Sequence, residues 1–301
     1  MTERISLRRL HAFVACAEAG TMTGAARRLY VSQGAVSAAI SQLERQIGVQ
    51  LLLRSKAKGL TLTEAGRLLL PEARSLLARA DALQAGMRDL GNAPSGRLVI
   101  GCFTTIAPFL LPRVLEEFRA AHPQVTLDFV EGSLTDLQRL LLDGTCELAV
   151  LYGVDVQAGI AYDTLYPTQP YVLLPPAHPL AEQEEVRLAD LAGHDMIALD
   201  VPPSLRYFHE VLSSAGVSPR VRHRTESFEM VRSLVARGAG YSLLIQRPRA
   251  DVSYEGRGLV IRRIKDEIRP LDVVLARPAG VRLTRRAAAF SAFCHASAPL
   301  S

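Results

Sequence analysis

Two sets of side chains are of a type and spacing that could do binding chemistry. The first is Ser32-Gln33-Gly34 with Ser37 and Ser41. On a helix these residues lie opposite an apolar stripe of Val36, Ile40 and Leu43. A carboxamide can pair with adenine through two hydrogen bonds, and a hydroxyl serves either partner of a base pair. Ser32 opens that helix, where a hydroxyl and free backbone N–H groups favour a phosphate. Arg54, Lys56 and Lys58 follow and suit phosphate or minor-groove contact. The second set is Thr104, Thr105, Ser133 and Ser204, hydroxyls placed where β-rich runs give way to helices. Ligands collect at that end of an α/β sheet, and such hydroxyls with helix N-terminal amides could hold a carboxylate or another anion. Each residue alone has an ordinary alternative: a polar residue on a solvated helix face, or a helix N-cap.

The elements that must position the first set are short. Ser6–Ala19 reads as a helix capped by Ser6 and stopped by Gly20. Thr21 or Thr23 caps a second helix through Leu29. Ser32 caps a third, ending at Gly48 as a C′ glycine. Two helices joined by so tight a turn have the helix-turn-helix pattern, over about residues 22–41. Arg54–Leu62 reads as a two-stranded wing. Thr63 opens a long helix in which Leu69, Ala73, Leu76, Ala80, Leu83, Met87 and Leu90 recur at steps of four and three. That 3.5-residue seam favours a partner helix in a dimer over an internal packing face. Pro71 should kink this helix or mark a join, and Gly91–Gly96 reads as a linker.

From Arg97 onward strands and helices alternate. Leu98–Ile100, Thr126–Val130 and Leu148–Leu151 with helices at Leu110–Ala121 and Leu134–Asp143 form a βαβαβ series that implies a parallel sheet. A second series runs through Tyr171–Leu174, Met196–Leu199, Arg206–Ser214 (helix), Val221–Thr225, Phe228–Arg237 (helix) and Tyr241–Ile245. Leu271–Ala276 and a last helix at Thr284–His295 close the chain.

Charge divides the chain in the same place. Residues 1–60 hold nine Lys and Arg against three acidic residues, whereas 61–301 hold 26 against 27. A small basic segment joined to a neutral one points to a polyanion-binding module attached to something else. The 301 residues, 49% hydrophobic and 22% charged, exclude a disordered or fibrous chain and suggest two or three domains.

The residues Ala25-Ala26-Arg27-Arg28-Leu29-Tyr30-Val31-Ser32-Gln33-Gly34-Ala35-Val36-Ser37, with Leu43–Leu52 and Leu62-Thr63-Glu64-Ala65-Gly66, resemble the start of a LysR-type transcriptional regulator. The resemblance is specific over about sixty residues, and the family's element order matches the rest. It implies an α/β protein with an N-terminal winged helix-turn-helix over 1–63 and a dimerising linker helix over 64–92. A two-lobed effector domain like a periplasmic binding protein would follow over 97–301, with lobes 97–164 plus 270–301 and 165–269. It implies effector contacts at Thr104, Thr105, Ser133 and Ser204, with Phe228 as an apolar wall. Expected partners are duplex operator DNA, a small-molecule effector with anions favoured, further copies of the chain as dimer or tetramer, and RNA polymerase. Two departures are notable. The family often has proline where this chain has Gly34, and a long polar residue at Ala38. Base readout then leans on Gln33 and Ser37, with the wing and DNA shape contributing more.

Other classes fit less well. The chain has no G-x-S-x-G, Walker loop or H-E-x-x-H, and its seven histidines show no metal spacing, so neither an enzyme nor a cofactor or metal is expected. The start of the chain is not of signal-peptide form, no apolar run is long enough to cross a bilayer, and the four cysteines form no C-x-x-C. A cytoplasmic protein is expected. A solute-binding protein without a regulatory role is the alternative, since 97–301 alone would fit one. Arg206 and Arg232 are candidates for attracting an anion, and Cys102 for a redox role beside the cleft.

Overall fold

The structure, a computed structural model, describes residues 5–55, 59–88 and 93–297, the side chains at 54–55, 78–79 and 81–88 excepted. Lys56, Lys58, Gly91 and Asn92 lie outside the described residues, as do the side chains of Arg54, Leu83, Met87 and Leu90.

The N-terminal module comprises α1 (Leu7–Ala19), α2 (Met22–Arg28), α3 (Gln33–Ile47), β1 (Leu52–Ser55), β2 (Gly59–Leu62) and α4 (Glu64–Arg88). Leu10, Phe13, Cys16, Ala25, Val36, Ile40 and Leu43 form its core, the apolar stripes of the first three helices turned onto one another. Thr21 accepts from the Gly24 N–H and caps α2, and Ser32 accepts from the Ala35 N–H and caps α3. Ser6 holds the N-cap position of α1, but its side chain makes no capping hydrogen bond. The first turn of α1 is closed through the Ser6 carbonyl instead, which accepts from Arg9 and Leu10.

β1 and β2 pair antiparallel, Leu52 opposite Leu62 and Ser55 opposite Gly59. Gly59 has a φ of +70°, and a Cβ there would lie 2.7 Å from the Gly20 carbonyl oxygen. That close approach lets the Leu60 N–H bond the same carbonyl at 2.8 Å, which ties the wing to the α1–α2 turn.

Pro71 lies inside α4 without ending it. The seam expected along this helix divides. Ala73 is 1% exposed and packs in the module's own core with Leu77, whereas Leu76 is 48% exposed. Leu69 also packs against that core. The first half of the stripe is therefore shared between internal packing and an outward face, because α1 needs a lid and α4 lies across it.

The C-terminal region begins with β3 (Gly96–Phe103), α5 (Ala107–Ala121), β4 (Val125–Gly132), α6 (Leu134–Leu142), β5 (Leu148–Tyr152) and β6 (Ile160–Thr168). It continues with β7 (Tyr171–Leu174), β8 (Glu185–Val186), β9 (Asp195–Leu199), α7 (Ser204–Ser214), β10 (Arg220–Thr225), α8 (Phe228–Ala236), β11 (Ser242–Leu244), β12 (Val260–Ile264), β13 (Leu271–Pro278) and α9 (Arg285–Ala296). The first sheet has the order β4-β3-β5-β13-β6. β3, β4 and β5 are parallel, as the βαβαβ series predicts, but β13 runs antiparallel to β5 and β6, so the sheet is mixed. The second has the order β11-β7-β12-β8, joined to the β10-β9 pair by a parallel bridge between Met196 and Tyr241. β6 pairs with β13 as far as Thr168 opposite Leu271, so the chain stays in the first sheet past the division read at 164/165. The return strand correspondingly joins that sheet at Leu271.

Candidate DNA interface and effector cleft

The start of α3 stands proud of the module. Ser32, Gln33, Gly34 and Ala38 are exposed, while Ser37 and Ser41 are half-buried. N-terminal residues of such a helix are the ones that reach base edges in a major groove. The Thr23 hydroxyl donates to Gln33 Oε1 at 3.4 Å, which turns the Nε2 donors of that carboxamide outward. Tyr30, in the turn before α3, has a φ of 55° and is 96% exposed. Neither Thr23 nor Tyr30 was picked out as a contact from sequence. The signal for Thr23 was its position in the first turn of α2, the other helix of the pair.

Two devices hold the wing against α3 and α4. The Glu44 carboxylate on α3 accepts from the backbone N–H groups of Leu51 and Leu52 at 2.8 and 3.1 Å. Thr63 donates its hydroxyl to the Gln50 carbonyl at 2.7 Å and accepts from the Gly66 N–H at 3.0 Å. A Cβ on Gly66 would lie 2.2 Å from the Leu51 carbonyl oxygen, so only glycine lets α4 approach this closely. Arg54, Lys56 and Lys58 belong to this wing by sequence, but their side chains lie outside the described residues.

In the C-terminal region the expected effector residues lie at or after strand C-termini, with different surroundings. Thr104 is exposed and donates its hydroxyl to the Gly132 carbonyl at 3.1 Å. Ser133 caps α6, accepting from the Asp136 N–H and donating to the Asp136 carboxylate at 2.8 Å. Ser204 is the first residue of α7 rather than its N-cap, a position held by Pro203, and it is buried. Thr105 is buried and its side chain lies near the Tyr152 hydroxyl. Phe228 opens α8 and meets Phe109 of α5 edge-on, ring centroids 5.6 Å apart. That contact joins the two lobes, as does an ion pair between Arg206 of α7 and Asp155 of the loop after β5.

Sequence reading missed Tyr152 and Gln246. Tyr152 ends β5, so the rule that found Thr104 and Ser133 could have found it. Gln246 has no local signal. Arg206 and Arg232 are already engaged, contrary to the expectation that they attract an anion. Arg206 pairs with Asp155 and Glu210. Arg232 is buried, bonded to Glu229 and to the carbonyls of Ala250 and Val252. Cys102 is buried in the first-lobe core, where desolvation and then Glu131 push its thiol up. A protonated buried thiol is a poor nucleophile, so the redox role is not supported.

No helix among the described residues is long and apolar enough to cross a membrane. Residues 7–67 match the family described as bacterial regulatory helix-turn-helix protein, lysR family, and residues 91–299 match the LysR substrate binding domain. A probable RuBisCO transcriptional regulator of Cyanophora paradoxa is 32% identical over 78% of this chain and 74% of its own length. A hydrogen peroxide-inducible genes activator of Dickeya chrysanthemi is 32% identical over 80% of this chain and 79% of its own length. The crystal structure of HinK, a LysR family transcriptional regulator from Pseudomonas aeruginosa, superposes with a TM-score of 0.67 at 34% identity, covering 97% of this chain and 98% of that one.

Proposed function

The chain belongs to the LysR family of DNA-binding transcriptional regulators with an effector-binding domain, and from that premise we propose how its two modules divide the work. The start of α3 enters a major groove of operator DNA. Ser32 and the α3 N-terminus hold a phosphate, Gln33, Gly34, Ser37 and Ser41 face the bases, and Arg54, Lys56 and Lys58 on the wing take backbone phosphates. The observation that carries this reading is the pairing of an exposed helix start with a wing fastened to it through Glu44. The confinement of the basic excess to residues 1–60 supports the same assignment.

The effector binds between the lobes against Thr104, Thr105, Ser133, Ser204 and Phe228. A small anion is the expected occupant, since α6 and α7 begin at that edge, with Ser133 as the N-cap of one and Ser204 as the first residue of the other. Thiol-based sensing of peroxide, raised by the name of the Dickeya relative, is not favoured. All four cysteines are buried, and burial pushes the thiols of Cys146 and Cys294 up to about 12. The chain acts as a dimer or a tetramer, because a reader of this type needs two copies to span two half-sites. It works in the cytoplasm, contacts RNA polymerase at its promoters, and catalyses no reaction.

The test is a gel shift on fragments of the adjoining intergenic region across salt concentration, followed by reporter transcription across metabolite pools. Binding should fall steeply with salt. The double variant T104V/S204A should bind DNA normally and lose the metabolite response. A flat salt dependence would refute the groove assignment, and a normal response in the double variant would move the effector site elsewhere.

A further inference from the structure

A cavity of about 530 Å³ lies where α4 meets the edge of the first lobe, at the N-terminal ends of its strands. Its walls come from the N-terminal ends of β3 and β5, the end of α6, the turn before α9, and Ser75 of α4. The volume is in the range of small-molecule sites. The inner wall is apolar, with Val99, Leu142 and Val281, and Leu142 is an exposed leucine.

Two polar groups of this cavity have no partner among the described residues. Thr145 Oγ1 is buried and makes no hydrogen bond. Arg282 is exposed and makes no ion pair, whereas Arg97 is held by Asp128 at 2.5 Å. The N-terminus of α9 is not available to a ligand, because Glu147 already sits there. Its carboxylate accepts from the Thr284 hydroxyl at 2.6 Å and from Arg286 at 2.8 Å. Among the described residues lining the cavity, the cation left for an incoming group is Arg282.

We propose that this cavity is a ligand site distinct from the cleft, and that it takes a small carboxylate or sulfonate with an apolar body. The anionic group meets Arg282, and the apolar body lies on Val99, Leu142 and Val281. Ser75 of α4 closes one side of a cavity otherwise walled by the effector domain, and Arg74 of α4 pairs with Asp143 beside it at 3.7 Å. An occupant that also reaches Ser75 touches both modules and favours those dimer shapes in which α4 stays against the effector domain. Only such a difference in affinity between shapes can shift the regulator.

The probe is anilinonaphthalene sulfonate, an anion with an apolar body, titrated by fluorescence into the full chain. Val281→Trp fills the cavity and should remove one saturable site. Arg282→Gln, an exposed change that spares the fold, should weaken that site about tenfold, the loss typical of a hydrogen bond to a charged group. Both variants should retain the operator gel shift. A titration unchanged in Val281→Trp would overturn the site, and unchanged affinity in Arg282→Gln would overturn its anionic character.

Discussion

Gln246 donates from Nε2 to the hydroxyl of Tyr152 at 3.1 Å, joining two residues 94 positions apart on opposite lobes. Tyr152 closes β5 and is 2% exposed. The carbonyl of Gln246 accepts from Tyr171 of β7 at 2.8 Å. Burial raises the pKa of both phenols, so both keep their protons at neutral pH. The floor of the cleft is thus a polar bridge, with the Phe109–Phe228 ring contact and the Arg206–Asp155 pair as further connections between the lobes. Opening the lobes would break all three.

Tyr152→Phe keeps the ring packed edge-on to Phe103, with centroids 5.5 Å apart, and removes the bridge. Stability should fall by about 1 kcal/mol, the usual net worth of one hydrogen bond. The urea midpoint measures that loss. Small-angle scattering should show a larger effector domain in the variant, and identical curves would mean that the bridge does not hold the lobes.

Glu44→Ala leaves the N–H groups of Leu51 and Leu52 without their acceptor. The expected cost is about 1–3 kcal/mol of module stability, with weaker binding to every DNA sequence because the wing is no longer held. Glu44→Gln retains an acceptor and should recover most of both. Thermal melts and gel shifts at one salt concentration decide the matter.

Gln33→Ala should cost about 1–3 kcal/mol on the operator and far less on unrelated DNA. Thr23→Ala should reproduce part of that loss only while Gln33 is present, because Thr23 acts by orienting the carboxamide. A double-mutant cycle measures the coupling, and additive effects would mean that Thr23 acts on its own.

Leu76→Asp and Leu77→Asp should separate two roles on neighbouring positions of α4. Leu76 is 48% exposed, so its aspartate should weaken self-association in sedimentation while the monomer stays folded. Leu77 is 6% exposed in the module core, so its aspartate should unfold the module. A Leu76→Asp chain that sediments as the wild type does would place the interface elsewhere.

His178 lies tilted against His194, ring centroids 4.5 Å apart, and burial, then the His194 charge, lowers its pKa from 6.5. The unfolded chain takes up a proton on this residue at a higher pH than the folded one does. Stability from this group is therefore full above about pH 6.5 and declines as pH falls toward the lower folded pKa. Denaturant unfolding from pH 7.5 to 5.5 should show that decline, and His178→Gln should flatten it.

Much of the N-terminal module was legible because its determinants lie three or four residues apart. The Val36, Ile40 and Leu43 stripe, the caps at Thr21 and Ser32 and the C′ glycine at Gly48 are near-neighbour signals, and each acts as the spacing predicts. The candidate hydroxyls were legible for the same reason, since strand-to-helix junctions are local. β6 and β12 were not. Pro167 and the charged pair Arg262-Arg263 break the period-two pattern, and these strands are held by partners far along the chain. The antiparallel course of β13 was equally hidden, because nothing within a strand encodes which neighbour it meets or in which direction. The sequence by itself determined which segments are helices, which face of α3 is polar and where the basic charge sits. Only the tertiary structure decided that Ala73 turns inward while Leu76 turns out, that Arg206 is taken by Asp155, and that Tyr152 meets Gln246. Those pairings depend on closing loops of up to about a hundred residues, and the chain pays that entropy only when the whole core forms.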